Sequence, residues 1–422
     1  MNMPLTARPI AAPLPGQATA EAVSETPYIE RGTSAFLRTN IAFFCAGIAT
    51  FALLYCVQPL MPVFSAEFGV SPAVSSLSLS LPTAAMAVCM LVASAVSEAV
   101  GRKPVMLVSV FASATITIAC ALMPGWDQFL MLRALQGVLL SGLPAVAMAF
   151  IAEEVHPRSS GYAMGLYISG SAMGGMMGRV LTGVLMEWGG WRLAIGGIGV
   201  LGLMAAVVFW RCLPPSRHFV ARPLAMRGLA ANFAFHLRDG GLRWLFLEGF
   251  LLMGSFVTLY NYIGYRLLAE PFSLSHAVVG LIFTVYLVGI GSSTLVGGMA
   301  DRFGRRRLLW VMLLAMLGGL SLMSIDSLPF IVTGIALITF CFFGAHSLAS
   351  SWVGRRARMA RAQASSLYLF SYYMGSSIVG AVGGLAWSAA GWQGVTWLVG
   401  GCLLLALLGG IRLAWLKPLP AL

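Results

Sequence analysis

Twelve mainly apolar stretches, each long enough to cross a lipid bilayer, follow one another along the chain. About 20 such residues span the ~30 Å of hydrocarbon in a membrane. Hydrophobic residues make up 59% of the 422 residues and charged residues 9%, which is too little polar surface for a water-soluble fold. Because lipid offers no partner to backbone N–H and C=O groups, the stretches predict helices. They lie at 41–64, 74–96, 105–123, 129–151, 161–186, 193–213, 243–265, 277–299, 308–325, 329–352, 364–388 and 394–415.

The loop between the second and third stretches is repeated later in the chain. Residues 94–104 read SAVSEAVGRKP and residues 297–307 read GGMADRFGRRR, so in both an acid precedes a glycine by three positions and a basic pair follows. A second repeat has nearly the same offset, with these pairs: Gly174 and Gly375, Gly183 and Gly384, Gly190 and Gly391, Trp191 and Trp392. Two repeats at nearly one offset indicate two related halves, a pattern that in membrane proteins is typical of transporters.

The basic side chains predict the orientation in the membrane. Of the 26 Lys and Arg residues, all but four lie before the first span, in the even-numbered loops or at their membrane edges, or after the last span. The exceptions are Arg192 and Arg266 in the opposite loops, and Arg133 and Arg179 within spans. By the positive-inside rule, both termini are expected in the cytoplasm, with the protein in the inner (plasma) membrane. The net charge of +12 thus indicates topology and contact with lipid headgroups, and nucleic acid is not an expected partner.

The longest polar interruption divides the spans into six and six. We predict a cytoplasmic N-terminal tail at 1–38, a six-helix bundle at 39–213, a cytoplasmic linker at 214–241, a second six-helix bundle at 242–416 and a C-terminal tail at 417–422. The linker is expected to be either an amphipathic helix on the inner leaflet or a flexible tether. The predicted fold class is therefore an all-α membrane protein, with twelve transmembrane helices in two pseudo-symmetric bundles.

The second copy of the loop resembles the signature loop of the major facilitator superfamily. That loop reads Gly-x-Leu-x-Asp-Arg-x-Gly-Arg-Arg/Lys, and the matching residues are Gly297, Asp301, Arg302, Gly304, Arg305 and Arg306. The first copy departs from the pattern at Ser94, Glu98 and Ala99. The resemblance covers roughly residues 40–415 and is nearest to the twelve-span drug/proton antiporter-like branch. It implies the major facilitator fold and a secondary transporter that works by alternating access.

Two further motifs are similar to elements of that branch. Arg133, Gln136 and Gly137 in the fourth span resemble an Arg-x-x-Gln-Gly element that the family associates with proton coupling. The fifth span resembles the antiporter signature at Gly170, Gly174, Gly175, Gly178 and Arg179. It departs from that signature where Gly175 replaces a usual proline and Arg179 a usual glycine. Small residues at this spacing also predict close helix packing without the family, and Arg179 is alternatively a structural residue held by carbonyls or by Glu187.

The charges of the two loop copies suggest a conformational latch. An acid at the end of a span can accept hydrogen bonds from the amides of a neighbouring helix or pair with loop arginines. We hypothesise that such contacts join the two halves on the cytoplasmic side in one state, through Glu98, Arg102, Lys103, Asp301, Arg302, Arg305 and Arg306. The alternative is that the basic residues only set the topology.

Away from the membrane edges, four ionisable side chains stand out inside the spans: Arg133, Arg179, Glu248 and His346. A charge at the bilayer centre costs from ~3 to more than ~10 kcal/mol, so each needs a reason. The resemblance implies that spans one, four, seven and ten line a central cavity, which would bring Arg133, Glu248 and His346 near one path. We expect Glu248 to be the proton-coupling site, with His346 assisting and Arg133 responding electrostatically. The alternatives are that Glu248 reaches the headgroups or pairs with Arg243, and that His346 only packs.

Amphipathic side chains within the spans are candidate substrate contacts. These are Tyr55, Gln58, Arg133, Gln136, Tyr260, Asn261, Tyr368 and Tyr372. About half are expected to face the cavity, since the others can serve in helix packing or at the interface. The intramembrane arginines leave an anionic substrate open beside a neutral amphipathic one.

The expected function is proton-coupled export of small amphipathic molecules or drugs by a monomer in contact with membrane lipid. The alternative on the same fold is uptake or facilitated efflux of a sugar, an amino acid or an organic acid. The sequence has no GxxxxGK[ST] nucleotide loop, no HExxH and no Cys/His spacing typical of a metal site. We therefore expect no enzyme activity, cofactor or metal, and a membrane enzyme or a receptor is the remote alternative.

Overall fold

The computed structural model describes residues 28–221 and 226–416, except for the side chains of residues 226–229 and 301. Most of the predicted N-terminal tail, all of the predicted C-terminal tail and part of the linker lie outside the described residues. Within them the chain forms these α-helices: α1 Ser34–Tyr55, α2 Met61–Phe68, α3 Pro72–Val100, α4 Arg102–Ala121, α5 Trp126–Leu140, α6 Pro144–Glu154, α7 Pro157–Cys212, α8 Met226–Arg238, α9 Gly240–Leu268, α10 His276–Ile282, α11 Tyr286–Phe303, α12 Arg305–Met323, α13 Leu328–Arg356 and α14 Arg361–Trp415.

Ten helical stretches in the described part of the chain are long and apolar enough to cross a membrane. Two of them, α7 and α14, contain 56 and 55 residues. At 1.5 Å per residue each would be about 80 Å long, far more than one crossing requires. Each is broken near its middle, α7 at Gly189 and Gly190 and α14 at Ala390 and Gly391, where the backbone dihedrals are not helical. Each therefore supplies two crossings, which accounts for the twelve predicted spans.

The breaks and the loop turns repeat between the halves. Gly190 and Gly391, which are 201 positions apart, have φ values of 71° and 55°, and Gly101 and Gly304 in the repeated loops have φ values of 111° and 82°. Left-handed φ values favour glycine because a Cβ would clash with the backbone. The glycines of the sequence repeat thus mark the turns at which one span passes into the next.

Glycines also allow the closest helix contacts within each half. A Cβ on Gly174 of α7 would lie 2.2 Å from the carbonyl oxygen of Ile48 in α1, and Gly170 and Gly178 meet the same helix at similar range. In the second half, a Cβ on Gly375 of α14 would lie 2.0 Å from a backbone oxygen of α9. Such contact replaces the hydrophobic drive that lipid does not supply between helices.

The two halves meet mainly through α3 with α14 and through α7 with α10. We call the membrane face that carries residue 34, the linker and residue 415 the terminal side, and the other face the distal side. Near the distal side Gly183 packs on Gly280, and a Cβ on Gly384 would lie 2.2 Å from Cα of Ala73. Hydrogen bonds near the distal side and further towards the terminal side also join the halves. They connect Ser65 and Tyr265, Gln58 and Asn261, Thr83 and Ser377, and Glu187 and the amide of Ala277.

The linker contains a helix that docks on the second half. Of the two predicted alternatives, a helix is therefore present. His236 of α8 is fully buried, and its Nε2 lies 3.1 Å from the carbonyl oxygen of Ala360. Asp239 begins α9 as its N-cap, accepting from the amide of Leu242, and it also binds the guanidinium of Arg356 at the end of α13.

Candidate functional site

A cavity of about 380 Å³ lies between the two halves. It is lined by Phe51, Tyr55, Pro144, Met148, Tyr167, Ile168, Ser171, Ala172, Gly175 and Arg179 from the first half, and by Met253, Phe256, Tyr286, Ser293, Phe342, Phe343, His346, Ser350, Leu369, Tyr372 and Tyr373 from the second. Its volume is in the range that holds a small organic molecule.

The cavity faces the terminal side. Ser350 in its wall lies six residues before the end of α13, which is about 9 Å along the helix axis. Its other end is at Arg179 and Tyr286, beyond which Gln58 and Asn261 connect the halves. Two larger grooves, of about 600 and 570 Å³, lie among exposed apolar side chains on the outer surface of the first half. Since lipid covers such a surface, the smaller central cavity is the candidate site.

Arg179 closes the distal end of the cavity and is 1% exposed. Its Nε donates to Oε1 of Gln58, and its Nη1 donates to the carbonyl oxygen of Gly175, one turn earlier. Its guanidinium carbon lies 4.1 Å from the ring centre of Tyr55 and 4.8 Å from that of Tyr286. Glu187, the sequence-based alternative partner, instead accepts from the amide of Ala277. Arg179 is therefore a cavity side chain held in an aromatic cage.

Gln58 connects Arg179 to the second half of the protein. Its Nε2 donates to Oδ1 of Asn261 in α9 at 2.5 Å, while its Oε1 accepts from Arg179. A continuous hydrogen-bonded chain therefore runs from the cavity to the contact between the halves. Opening the distal side requires this chain to break.

Arg133 lies away from the cavity, in contrast to the path that the family resemblance implied for it. It is 1% exposed and donates to the carbonyl oxygens of Leu53, Leu54 and Ser78 at 2.7 to 3.1 Å, and to Oε1 of Gln136. Helix α1 ends at Tyr55, so the first two carbonyls have no further helical turn to bind. The third would bind the N–H of residue 82, which is a proline. The guanidinium thus satisfies two defects in neighbouring helices.

Glu248 also lies outside the lining of the cavity, within the second half. It is 1% exposed, and neither carboxyl oxygen has a hydrogen-bond partner among the described residues. A Cβ on Gly409 of α14 would lie 2.8 Å from its Oε1. The burial contradicts the alternative in which Glu248 reaches the headgroups, and no described ion pair joins it to Arg243. The carboxyl is packed between α9 and α14.

His346 lies in the cavity wall and is connected towards Glu248 through Tyr368. Its Nδ1 is 2.9 Å from the hydroxyl oxygen of Tyr368, and its ring lies 4.6 Å from the ring of Tyr372. The ring of Tyr368 packs against Gly249, the residue after Glu248 in α9. His346 and the backbone next to Glu248 thus contact the same tyrosine.

Two of the eight predicted substrate contacts line the cavity: Tyr55 and Tyr372. The others are used in other ways: Gln58 and Asn261 bind each other, Tyr260 contacts Thr339, Tyr368 contacts His346, and Arg133 and Gln136 bind backbone and each other. The expectation that half would face the cavity was too high. A polar end of a tyrosine or an amide is satisfied equally well inside a helix bundle.

Sequence reasoning missed most of the aromatic wall of the cavity. Phe51, Tyr167, Phe256, Tyr286, Phe342, Phe343 and Tyr373 line it and were not among the predicted contacts. Phe256 and Phe342 stack with ring centres 3.8 Å apart. The sequence contained one weak indication of this wall, because aromatic residues recur in the spans that line the cavity. Apolar rings that face lipid give the same pattern in the sequence.

The described contacts of the predicted latch residues lie within their own halves. Arg102 donates from Nε and Nη2 to the two carboxyl oxygens of Glu153 and from Nη1 to the hydroxyl of Ser97, and its Nη2 lies 3.7 Å from Glu98. Lys103 donates to the carbonyl oxygen of Leu213. In the second half, Arg305 donates to Ser351, Arg306 to the carbonyl oxygen of Ala414, and Arg302 lies over the ring of Phe303. The side chain of Asp301 lies outside the described residues. A latch between the halves therefore stays a prediction for another conformational state.

Comparison with known proteins gives the family. The family model described as Major Facilitator Superfamily matches residues 41–267 and again 245–421. The chain is 50% identical over 386 residues to the inner membrane transport protein YnfM of Escherichia coli, covering 92% of this chain and 93% of that protein. It is also 50% identical over 380 residues to the uncharacterized MFS-type transporter YybF of Bacillus subtilis, covering 90% and 94% of the two chains.

A solved structure shares the fold. The crystal structure of a bacterial homolog to the human lysosomal transporter Spinster, in an inward-facing and unoccupied conformation, matches with a TM-score of 0.73 at 15% identity, covering 90% of this chain and 96% of that one. The relatives are transporters, and the chain is a multi-pass inner membrane protein with the all-α fold. The chain belongs to the Major Facilitator Superfamily.

Proposed function

We propose that this transporter is a proton-coupled secondary transporter that exports small amphipathic molecules by alternating access. The substrate enters the central cavity from the terminal side, which we place in the cytoplasm because the basic residues concentrate there. Tilting of the halves, each acting as one bundle within a monomer, then breaks the Gln58–Asn261 contact and exposes the cavity to the distal side. The resemblance of the sequence to the drug/proton antiporter-like branch of the family motivates this assignment. The remaining alternative is uptake or facilitated efflux of a sugar, an amino acid or an organic acid.

The proposal of proton coupling rests on the orphaned carboxyl of Glu248. An ionised carboxylate without a partner in a buried site is costly, so such a group changes its protonation instead of staying charged. A group that is neutral in one conformation and ionised when water or a cation reaches it carries one proton per cycle. Glu248 is the described acid that combines full burial with the absence of a described partner.

A route for the proton is available from the cavity. His346 lines the cavity, its imidazole binds the Tyr368 hydroxyl, and the ring of Tyr368 packs against Gly249, the residue after Glu248. Imidazole and phenol groups both donate and accept protons. We assign Glu248 as the proton site, with His346 as the group that assists transfer from the cavity. Arg133 has no place in this route, because its N–H groups are committed to backbone carbonyls and Gln136.

The test is substrate-induced proton movement in proteoliposomes. A panel of labelled compounds, screened for accumulation at two external pH values in inside-out vesicles, first identifies a transported compound. The Glu248→Gln variant is expected to lose substrate-induced proton flux while it still exchanges the compound between the two sides of the membrane. The matched control is Glu67→Gln, because Glu67 is an exposed acid. Proton flux that is unchanged in Glu248→Gln, or absent in the wild type, rejects the coupling.

A further inference from the structure

The central cavity contains a buried positive charge without a counter-ion. No described carboxylate forms an ion pair with Arg179, although it is 1% exposed. A buried charge of this kind is strongly unfavourable unless a partner charge or a full set of hydrogen bonds compensates it. The described partners of Arg179 supply neither of these.

Comparison with Arg133 shows what is missing at Arg179. Arg133 uses four of its five N–H groups, on three carbonyl oxygens and Gln136, and it is not among the residues that line the central cavity. The described hydrogen bonds of Arg179 use two N–H groups, one on Gln58 and one on the carbonyl oxygen of Gly175. Nη2 of Arg179 donates to no described residue, and its side chain is part of the cavity wall. The first arginine is complete within the protein, whereas the second retains donors for a ligand.

Apart from Arg179, the residues that line the central cavity disfavour a cationic ligand and favour one with a flat ring. The described lining residues include no Asp or Glu, and the one other ionisable group besides the tyrosines is His346. Nine phenylalanine and tyrosine side chains surround the space: Phe51, Tyr55, Tyr167, Phe256, Tyr286, Phe342, Phe343, Tyr372 and Tyr373. Aromatic walls favour offset or edge contacts with another ring beyond the area that they bury.

We infer that the cavity binds a small aromatic monoanion, with its carboxylate or equivalent acid group on the free guanidinium edge of Arg179 and its ring among the cavity aromatics. A planar guanidinium binds a carboxylate through two parallel N–H···O bonds. Gln58 is a positioning residue here, because it holds Nε and so turns the Nη groups towards the cavity. The inference depends on the proposed function only for the statement that the bound anion is then carried across the membrane.

The binding of the anion also has a consequence for the distal contact. Arg179 and Asn261 share Gln58, so a carboxylate on the free edge of Arg179 binds the same guanidinium that Gln58 connects to Asn261. The residue that recognises the charge of the ligand is thus directly connected to the contact that keeps the distal side closed.

The test uses equilibrium binding to the purified full-length protein in detergent, measured by isothermal titration calorimetry. The four probes are naphthoate, the neutral naphthamide, the cationic naphthylmethylamine, and decalin carboxylate, which is an anion of similar size without aromatic rings. We expect naphthoate to bind at least about tenfold more tightly than each of the others, a difference of about 1.4 kcal/mol. Equal or tighter binding of the amide or the amine, or no binding of naphthoate, overturns the inference.

Variants then locate the charge. Arg179→Gln is expected to remove the preference for naphthoate over naphthamide, whereas Arg192→Gln, at an exposed arginine outside the cavity, leaves it unchanged. The comparison of probes on the wild type needs no variant, so it decides the question even where Arg179→Gln does not fold. If naphthoate binds as expected while Glu248 proves irrelevant to proton flux, only the proton coupling fails. If the proton flux holds and naphthoate does not bind, only the anion site fails.

Discussion

Replacement of Arg133 by methionine tests whether this intramembrane arginine serves the fold or the proton path. Methionine has a similar length and no donors, so the change leaves the carbonyl oxygens of Leu54 and Ser78 without a described partner and that of Leu53 with only the weak donor Cys56 Sγ. Each buried carbonyl that loses its hydrogen bond costs about 1–3 kcal/mol. Removing the buried guanidinium recovers part of this loss, because the charge no longer has to be desolvated. We expect the free energy of unfolding to fall by about 2–5 kcal/mol.

The proline in α3 offers an internal check on this reasoning. Pro82 has no N–H, and the carbonyl of Ser78 binds Arg133 for that reason. Pro82→Ala supplies the missing donor, so in the Arg133→Met background it should restore about 1 kcal/mol. In the presence of Arg133 the same change should have a smaller effect, since the carbonyl is already satisfied. The two substitutions are therefore expected to be non-additive.

The assay is reversible unfolding in mixed micelles, titrated with a denaturing detergent. The matched control is Arg192→Met, because Arg192 also donates to two carbonyl oxygens but is exposed, so water replaces it. That control should lose less than about 1 kcal/mol. If Arg133→Met unfolds like the wild type while proton flux collapses, then Arg133 belongs to the coupling path and the interpretation from hydrogen bonds is wrong.

Two further predictions concern helix contact and pH. Gly174→Val should reduce thermal stability and monodisperse yield on gel filtration, because its Cβ would lie 2.2 Å from the oxygen of Ile48, whereas Gly165→Val faces open space and should be tolerated. Burial alone would raise the pKa of Asp239, but the hydrogen bonds from Arg356 and the following helix amides lower it below its usual value. The stabilisation of wild type over Asp239→Asn should thus be complete above about pH 4 and disappear as the pH falls through the depressed folded pKa, as measured by unfolding at several pH values.

Local chemistry was sufficient to predict the architecture. In lipid, an apolar stretch of about 20 residues must form a helix to satisfy its own backbone hydrogen bonds, whatever the tertiary arrangement. The repeat of Gly190 and Gly391 was readable because a left-handed turn strongly favours glycine whatever surrounds it. Both features depend on neighbours in the chain, and for that reason they were visible without coordinates.

The role of each intramembrane charge depended on what surrounds it in three dimensions. Arg133 and Arg179 look alike in the sequence, since each is a single arginine in an apolar span. Arg133 binds carbonyl oxygens at the end of α1 and beside the proline of α3. Arg179 lines a cavity and binds Gln58. Those partners lie between 55 and 121 positions away along the chain.

The same limit applies to Glu248 and to the aromatic wall. The sequence identified Glu248 as a buried acid, but its direction, towards Gly409 instead of the cavity, is set by the packing of α9 against α14. Burial of an apolar ring is favourable against lipid, helix or ligand alike, so periodicity alone does not say which of them it meets. Hydrophobic pattern determined that this chain spans a membrane in two related halves, and only long-range packing decided which side chains face the space between them.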